Sequence, residues 1–355
     1  MLKYLNARVV PSRLVLSAVA VLALLLTSGC GLFGAKRKIQ VPQLLQPLAE
    51  ANKDRLIQEI NRLANVKSIR GKVDIQFEDT SFASSGIADQ YRLVDGTITL
   101  QRPGKIYLII QFTFVDIAQM ASDGEHFSVA VLKGDERYKR FVKGTNSAVY
   151  PKLKTNGTST DNKDGKKKTE KETVSALSNL RPQHLTDAFM IRPIEIRPIE
   201  PNSPTFYVQS EFFQEETDTR REAKNNARVM RGYYFLEELS QSTAGDAKLM
   251  RRFWFDRVGG IRLSRVQTYN EHGQLITDVS YYNEKPLGSG VTAILPSRIE
   301  ITRPQDQYKL SITYQDSASV ELNREYGPRA FVLENKWGLP EVDLDAQNKK
   351  VTANQ

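Results

Sequence analysis

From Ile69 onward, apolar side chains recur at every second residue over most of the chain, and no other feature limits the fold as much. A period of two belongs to a strand with one buried face, whereas a helix needs spacings of three and four. The pattern is clearest from Lys105 to Phe114, where Ile106, Leu108, Ile110, Phe112 and Phe114 share one side and Tyr107, Gln111 and Thr113 the other. Further strands are predicted at Ile69 to Phe77, Tyr91 to Gln101, Val115 to Ala121, Phe127 to Leu132 and Tyr138 to Val142. Between them, Arg102-Pro103-Gly104, Asp123-Gly124 and Lys133-Gly134-Asp135 supply the residues of tight turns. Strands joined so closely run antiparallel, because a parallel pair needs a long crossover.

A second run of strands is predicted at Phe206 to Phe213, Val229 to Leu239, Leu249 to Asp256, Ile261 to Tyr269, Leu275 to Asn283, Ser297 to Thr302, Tyr308 to Tyr314 and Val320 to Leu322. The fold class is therefore mainly β with a few helices, an extensive antiparallel sheet that curls to limit its exposed edges. Only two segments have helical spacing. Leu44 to Ala64 carries Leu45, Leu48, Leu56, Ile60 and Leu63, with Pro47 suited to its first turn; Val174 to Met190 carries Val174, Leu177, Leu180, Leu185 and Phe189, and Pro182 is predicted to kink or split it. The repeat Ile191-Arg192-Pro193-Ile194-Glu195, renewed from Ile196 to Glu200, reads as an extended crossing at a sheet edge.

Between the two β runs, residues 144–173 are polar and include Lys166-Lys167-Lys168; they read as a disordered basic insertion in one domain, unable to bury enough apolar area to order itself. The sequon-like Asn156-Gly157-Thr158 within it is a coincidental match. The predicted organisation is a leader over 1–29, a short basic tether over 30–43, a single β domain over 44–335 and a polar tail over 336–355.

The leader reading rests on Lys3, Arg8 and Arg13 ahead of an uncharged apolar run from Leu14 to Leu26. Thirteen residues are fewer than the roughly 20 a spanning helix needs, so export is favoured over a permanent span. The following Leu26-Thr27-Ser28-Gly29-Cys30 resembles the lipobox of bacterial lipoproteins, although Thr27 stands where that motif usually has leucine. Cys30 is the chain's only cysteine, so it has no intramolecular disulfide partner and is the expected site of lipidation. Gly31 rather than aspartate at the next position favours the periplasmic face of the outer membrane, reached through the general secretory route. Cleavage before Cys30 removes three positive charges, so the net charge falls from +9 to +6 and 326 of the 355 residues remain. A basic surface there faces either anionic headgroups or only solvent; nucleic acid is not an expected partner.

A family resemblance lies in Trp254-Phe255-Asp256, Ile261-Arg262-Leu263-Ser264-Arg265, Tyr269-Asn270, Gly273-Gln274-Leu275 and Val279-Ser280-Tyr281. It continues through Leu295-Pro296-Ser297-Arg298-Ile299-Glu300-Ile301, Leu310, Ile312 and Leu322-Asn323, with Gly71, Gly96 to Leu100, Arg102 to Lys105 and Ser122-Asp123-Gly124 in the first half. Together these resemble the LolA/LolB group, the periplasmic lipoprotein carrier and its outer-membrane receptor. The resemblance implies an incomplete β-barrel round an apolar cavity, with Leu44 to Ala64 and Val174 to Met190 as a helical lid. It also implies a cargo of lipid or lipoprotein acyl chains, and exchange with a periplasmic carrier or another envelope protein. The carrier's lid-locking arginine and the receptor's exposed leucine match no position here.

Ile106, Leu108, Ile110, Phe112, Phe114, Phe127, Val129, Phe253, Trp254 and Phe255 are the candidate cavity-lining residues, the alternative being an ordinary packed core. Phe82, among small polar residues, is a candidate exposed apolar tip or else packs on its own sheet. His126, His184 and His272 are isolated in sequence, with no metal-ligand spacing, and no nucleophile elbow or phosphate loop is present. No catalytic residue, metal or cofactor is expected. The competing reading is a structural or sensory envelope lipoprotein that binds a protein partner.

Overall fold

The computed structural model describes residues 41–80, 89–90, 93–133, 136, 139–148, 150, 180–195, 205–220, 223, 227–241, 246–288 and 292–353. Cys30, Phe82 and most of the basic insertion lie outside them. The first helix, α1 (Lys53–Ala64), is shorter than the periodicity predicted. It starts where the Asn52 side chain caps the Arg55 amide at 3.0 Å. Ahead of it the chain is extended, with Leu48 bridged to Val258, so Leu45 and Leu48 pack from a non-helical segment.

Strands β1 (Ser68–Asp79), β2 (Val94–Gln101), β3 (Lys105–Phe112), β4 (Val115–Ser122), β5 (His126–Val131) and β6 (Arg140–Thr145) form an antiparallel meander. A second meander follows, from β7 (Thr205–Thr217) and β8 (Arg228–Gln241) through β9 (Ala247–Asp256), β10 (Arg262–Tyr269), β11 (Leu275–Leu287) and β12 (Ala293–Arg303) to β13 (Tyr308–Tyr314). The two halves become one sheet because β13 lies antiparallel beside β1, from Tyr308 opposite Asp79 to Tyr314 opposite Val73. The sheet is not closed: among the described residues, β7 pairs only with β8.

Of the residues 336–355 expected as a polar tail, 341–345 pack on the sheet. Strand β14 (Glu341–Asp343) pairs in parallel with β6, Leu344 is buried, and Asp345 accepts from the Thr145 hydroxyl at 2.9 Å and from the Tyr150 hydroxyl. Residues 144–148 and 150, inside the segment read as a polar insertion, are among the described ones. The tail's polar composition concealed the buried Leu344 and the pairing of β14.

Period-two alternation puts one face of nearly every strand into a single apolar core. Ile75, Ile98, Leu108, Met120, Val129 and Val142 of the first half join Leu236, Phe253, Leu263, Val279, Ile301 and Leu310 of the second. A flat sheet this wide cannot bring those faces to one cluster, so the sheet is strongly curled, with a concave apolar side. Two short helices fill the hollow: α1 contributes Leu56, Ile57, Ile60 and Leu63, and α2 (Pro182–Phe189) contributes Leu185, Ala188 and Phe189. Pro182 occupies the first turn of α2, where a missing N–H costs nothing, and Arg181 before it is extended, so the predicted helical segment is broken there; its residues 174–179 lie outside the described ones. The chain then continues without helix or strand through Met190, Ile191 and Ile194, all buried in the main core, so the first Ile-Arg-Pro-Ile-Glu unit is not the crossing at a sheet edge that its prolines suggested: its two isoleucines find apolar cover inside.

Candidate functional site

The hollow and its helical cap form the candidate site. Apolar packing supplies most of the hold on the cap, at about 1.5–3 kcal/mol for each fully buried large side chain. Directional contacts then fix its position. Arg102, in the β2–β3 turn, donates from Nε to the Val66 carbonyl at 2.9 Å, from Nη1 to Met190 at 3.1 Å and from Nη2 to Ile191 at 2.8 Å. One guanidinium thus ties the end of α1 to the end of α2 through charge-assisted bonds. Its partial burial lowers the pKa yet leaves it cationic.

The Asn61 side chain of α1 makes a reciprocal pair with Ile194, accepting from its amide at 2.8 Å and donating to its carbonyl at 2.9 Å. The Tyr281 hydroxyl of β11 donates to the Ala188 carbonyl at 2.9 Å. On the other side of α2, His184 Nδ1 lies 2.7 Å from the Tyr308 hydroxyl of β13. Burial, with Arg303 and Arg181 nearby, holds the His184 pKa well below the ordinary histidine range, so the ring is neutral in the closed arrangement. Arg181 lies over the Phe127 and Tyr150 rings at 5.2 and 4.9 Å.

A cavity of about 20 Å³ remains where α1 and the cap meet the sheet. Leu63 and Val66 close it from the α1 side, and Phe189 and Ile191 from the cap. Tyr281, Leu295, Pro296 and Ile299 of β11 and β12, with Ile69 and Tyr314, form its floor. No charged residue lines it. One water molecule fits such a space, whereas small-molecule sites run to roughly 300–1,000 Å³. With the cap down, this part of the hollow is filled.

None of the ten sequence candidates lines that cavity. Ile106, Leu108, Ile110, Phe127, Val129, Phe253 and Phe255 are buried in the core on the concave face. Three need correction. Phe112 is 43% exposed and Phe114 96% exposed, because β3 ends at Phe112 and the chain turns through Thr113 and Phe114, both at positive φ, before the alternation can continue. Trp254 points away from the hollow, since successive strand residues face opposite sides and its neighbours Phe253 and Phe255 point in. Its indole packs on the outer face against Phe235 at 4.5 Å, donates to Gln267 at 2.9 Å and lies under the Arg265 guanidinium.

Sequence reasoning passed over Arg102, Tyr281 and Tyr314. The first was read only as a turn residue and the others only as strand positions, and a single sequence carries no signal that long-range folding would aim them at the cap. Among the described residues no cluster of side chains suits a metal ion, and no helix is long and apolar enough to cross a membrane.

These elements define a class: a mainly β chain whose one unclosed sheet curls round helices that stop its apolar concave side. The solved structures it resembles include a LolA superfamily protein from Nitrosomonas europaea, with 11% identity and a TM-score of 0.39 over 80% of this chain and 99% of that one. A DUF1329 family protein from Desulfovibrio piger has 11% identity and a TM-score of 0.38, covering 78% and 95%. A domain assigned to outer membrane lipoprotein sorting, from Vibrio parahaemolyticus, has the same identity and TM-score and covers 78% and 94%. No family model and no curated protein matches the chain.

Proposed function

We propose that this chain is an envelope lipoprotein, held by lipid on Cys30 at the periplasmic face of the outer membrane, that binds acyl chains of lipoproteins or lipids between the curled sheet and its cap. No bond chemistry is involved. The observation that carries the reading is the way the cap is fastened. An apolar concave face is covered by one short helix and the irregular segment after it, and a single arginine holds their junction by the Met190 and Ile191 carbonyls while also bonding Val66 after α1. Such a cap acts as a stand-in ligand. Its buried side chains occupy the space that an alkyl chain takes when the clasp opens, so a filled closed state and acyl binding are compatible. The partner would be a periplasmic carrier or another envelope protein that delivers or receives the chain.

The smallness of the cavity favours a second reading, a scaffold whose permanently filled core presents only an outer protein-binding surface. Native mass spectrometry of the full chain purified from membranes, followed by lipid extraction, separates the two. The acyl-binding reading expects an adduct of acyl mass beyond the Cys30 modification, abolished by solvent extraction. A single species carrying only the anchor, both before and after incubation with lipid, would sink it in favour of the scaffold.

A further inference from the structure

One residue that lines the cavity beneath the cap carries an unmet polar group. Tyr314 closes β13, is 3% exposed, and lines the cavity. Among the described residues no protein atom accepts from its hydroxyl. A buried donor left without an acceptor costs free energy wherever it occurs, and this one is held there by its surroundings. The ring lies against Gly71 of β1 so closely that a Cβ on that glycine would come within 3.1 Å of the tyrosine Cδ1. The cap residue Phe189 meets it edge-on with ring centroids 6.3 Å apart. The absence of a side chain at residue 71 therefore makes room for the ring, and the cap residue against it is one that must move when the hollow opens. The nearby Tyr281 hydroxyl already has its acceptor, the Ala188 carbonyl.

A water molecule fits the space but is a poor partner, since buried waters usually make about three hydrogen bonds and apolar side chains form most of these walls. An anion is poorer still, because burying a charge without a counter-charge is far costlier than burying a neutral acceptor. Only burial perturbs the phenol, with no charged side chain contributing. The acceptor that fits is a neutral carbonyl oxygen joined to something apolar.

We propose that Tyr314 is the polar recognition point of this apolar site, its hydroxyl donating to the carbonyl oxygen of an ester- or amide-linked acyl chain lodged on the concave face in place of the cap. The assignment rests on the acyl-binding reading above and narrows its cargo to esterified or amidated chains rather than free fatty acid anions. Because the hydroxyl is already dehydrated when the cap is closed, a bond to it gains more than a bond from an exposed donor.

The test is titration of the purified, delipidated full chain with methyl palmitate, palmitate and hexadecane, followed by displacement of an environment-sensitive dye, on wild type and Tyr314→Phe. Wild type is expected to prefer methyl palmitate to hexadecane and to palmitate. The variant is expected to lose methyl palmitate affinity by about three- to tenfold, one net hydrogen bond, while hexadecane affinity stays unchanged. Its ligand-free melting temperature should rise, because an unmet donor has been removed. Equal binding of methyl palmitate and hexadecane by wild type, an unchanged preference in the variant, or a lower ligand-free melting temperature for the variant would each overturn the Tyr314 assignment and leave acyl binding standing. Uptake of none of the three ligands by wild type would instead remove the acyl-binding reading, and this assignment with it.

Discussion

Replacing Arg102 by methionine keeps most of the side chain's apolar stem and removes its three hydrogen bonds to Val66, Met190 and Ile191. Bonds from a charged donor are worth roughly 1.5–3 kcal/mol when buried. Arg102 is partly exposed, and its carbonyl partners regain water when the cap lifts, so about 1 kcal/mol each is the appropriate scale. Two of the three bonds, to Met190 and Ile191, are to the cap, whereas the one to Val66 after α1 survives its lifting; losing about 2 kcal/mol from cap closure multiplies the open population about thirtyfold. Hydrogen exchange reads this directly, because the Ile194 amide donates across to the Asn61 side chain of α1 only while the cap is seated. That amide should exchange about thirtyfold faster in Arg102→Met, with those of β11 and β12 unchanged. Arg102→Lys should fall between, since an ammonium lacks the planar fork that reaches several carbonyls at once. Unaltered exchange at Ile194 would refute the clasp. Equal acceleration across the whole sheet would show that Arg102 stabilises the fold at large and not the cap.

Two further outcomes follow from the same geometry. His184 is kept neutral under the cap and would return to an ordinary pKa of about 6.5 once exposed. The open form then binds the extra proton, so closure is at full strength above about pH 6.5 and weakens as pH falls from there toward the depressed closed-state value. Exchange at the Ile194 amide, corrected for intrinsic rates, should quicken from about pH 7.5 to about 5.5 in wild type and not in His184→Gln; a flat wild-type profile would sink this. At Gly96 in β2, an added Cβ would sit 2.8 Å from Ile75 Cδ1 and 2.9 Å from the Ile109 carbonyl oxygen. Gly96→Ala is expected to destabilise by about 1–3 kcal/mol in urea unfolding, the usual cost of overpacking, and an unchanged midpoint would show that the β2–β3 pair yields without strain.

The antiparallel sheet was legible because alternation and turn residues are local signals, and the β3 and β9 cores appear where Leu108 and Phe253 predicted them. What failed was also local in cause. Phe112 and Phe114 continue the alternation in sequence but not in space, because the backbone enters the left-handed region at Thr113. Trp254 was placed beside Phe253 and Phe255 although parity forbids three consecutive residues on one face. The clasp was illegible for a different reason: Arg102 and Met190 lie 88 residues apart, and only the curling of the sheet brings them together.

That curling also determines how the cap can work. Leu185, Phe189, Ile191 and Ile194 together bury apolar surface of the same order as an alkyl chain of a dozen methylenes, worth roughly 10 kcal/mol at about 0.8 kcal/mol each. On the acyl-binding reading the two compete for the same concave face at similar cost, and neither wins by much. The balance then falls to the polar contacts, which differ between the states: Arg102 and Asn61 favour the cap, while the Tyr314 hydroxyl is unmet beneath it. A site arranged this way avoids exposing a greasy hollow to water when empty, and it can also release its occupant, because the cap is always available to replace what leaves.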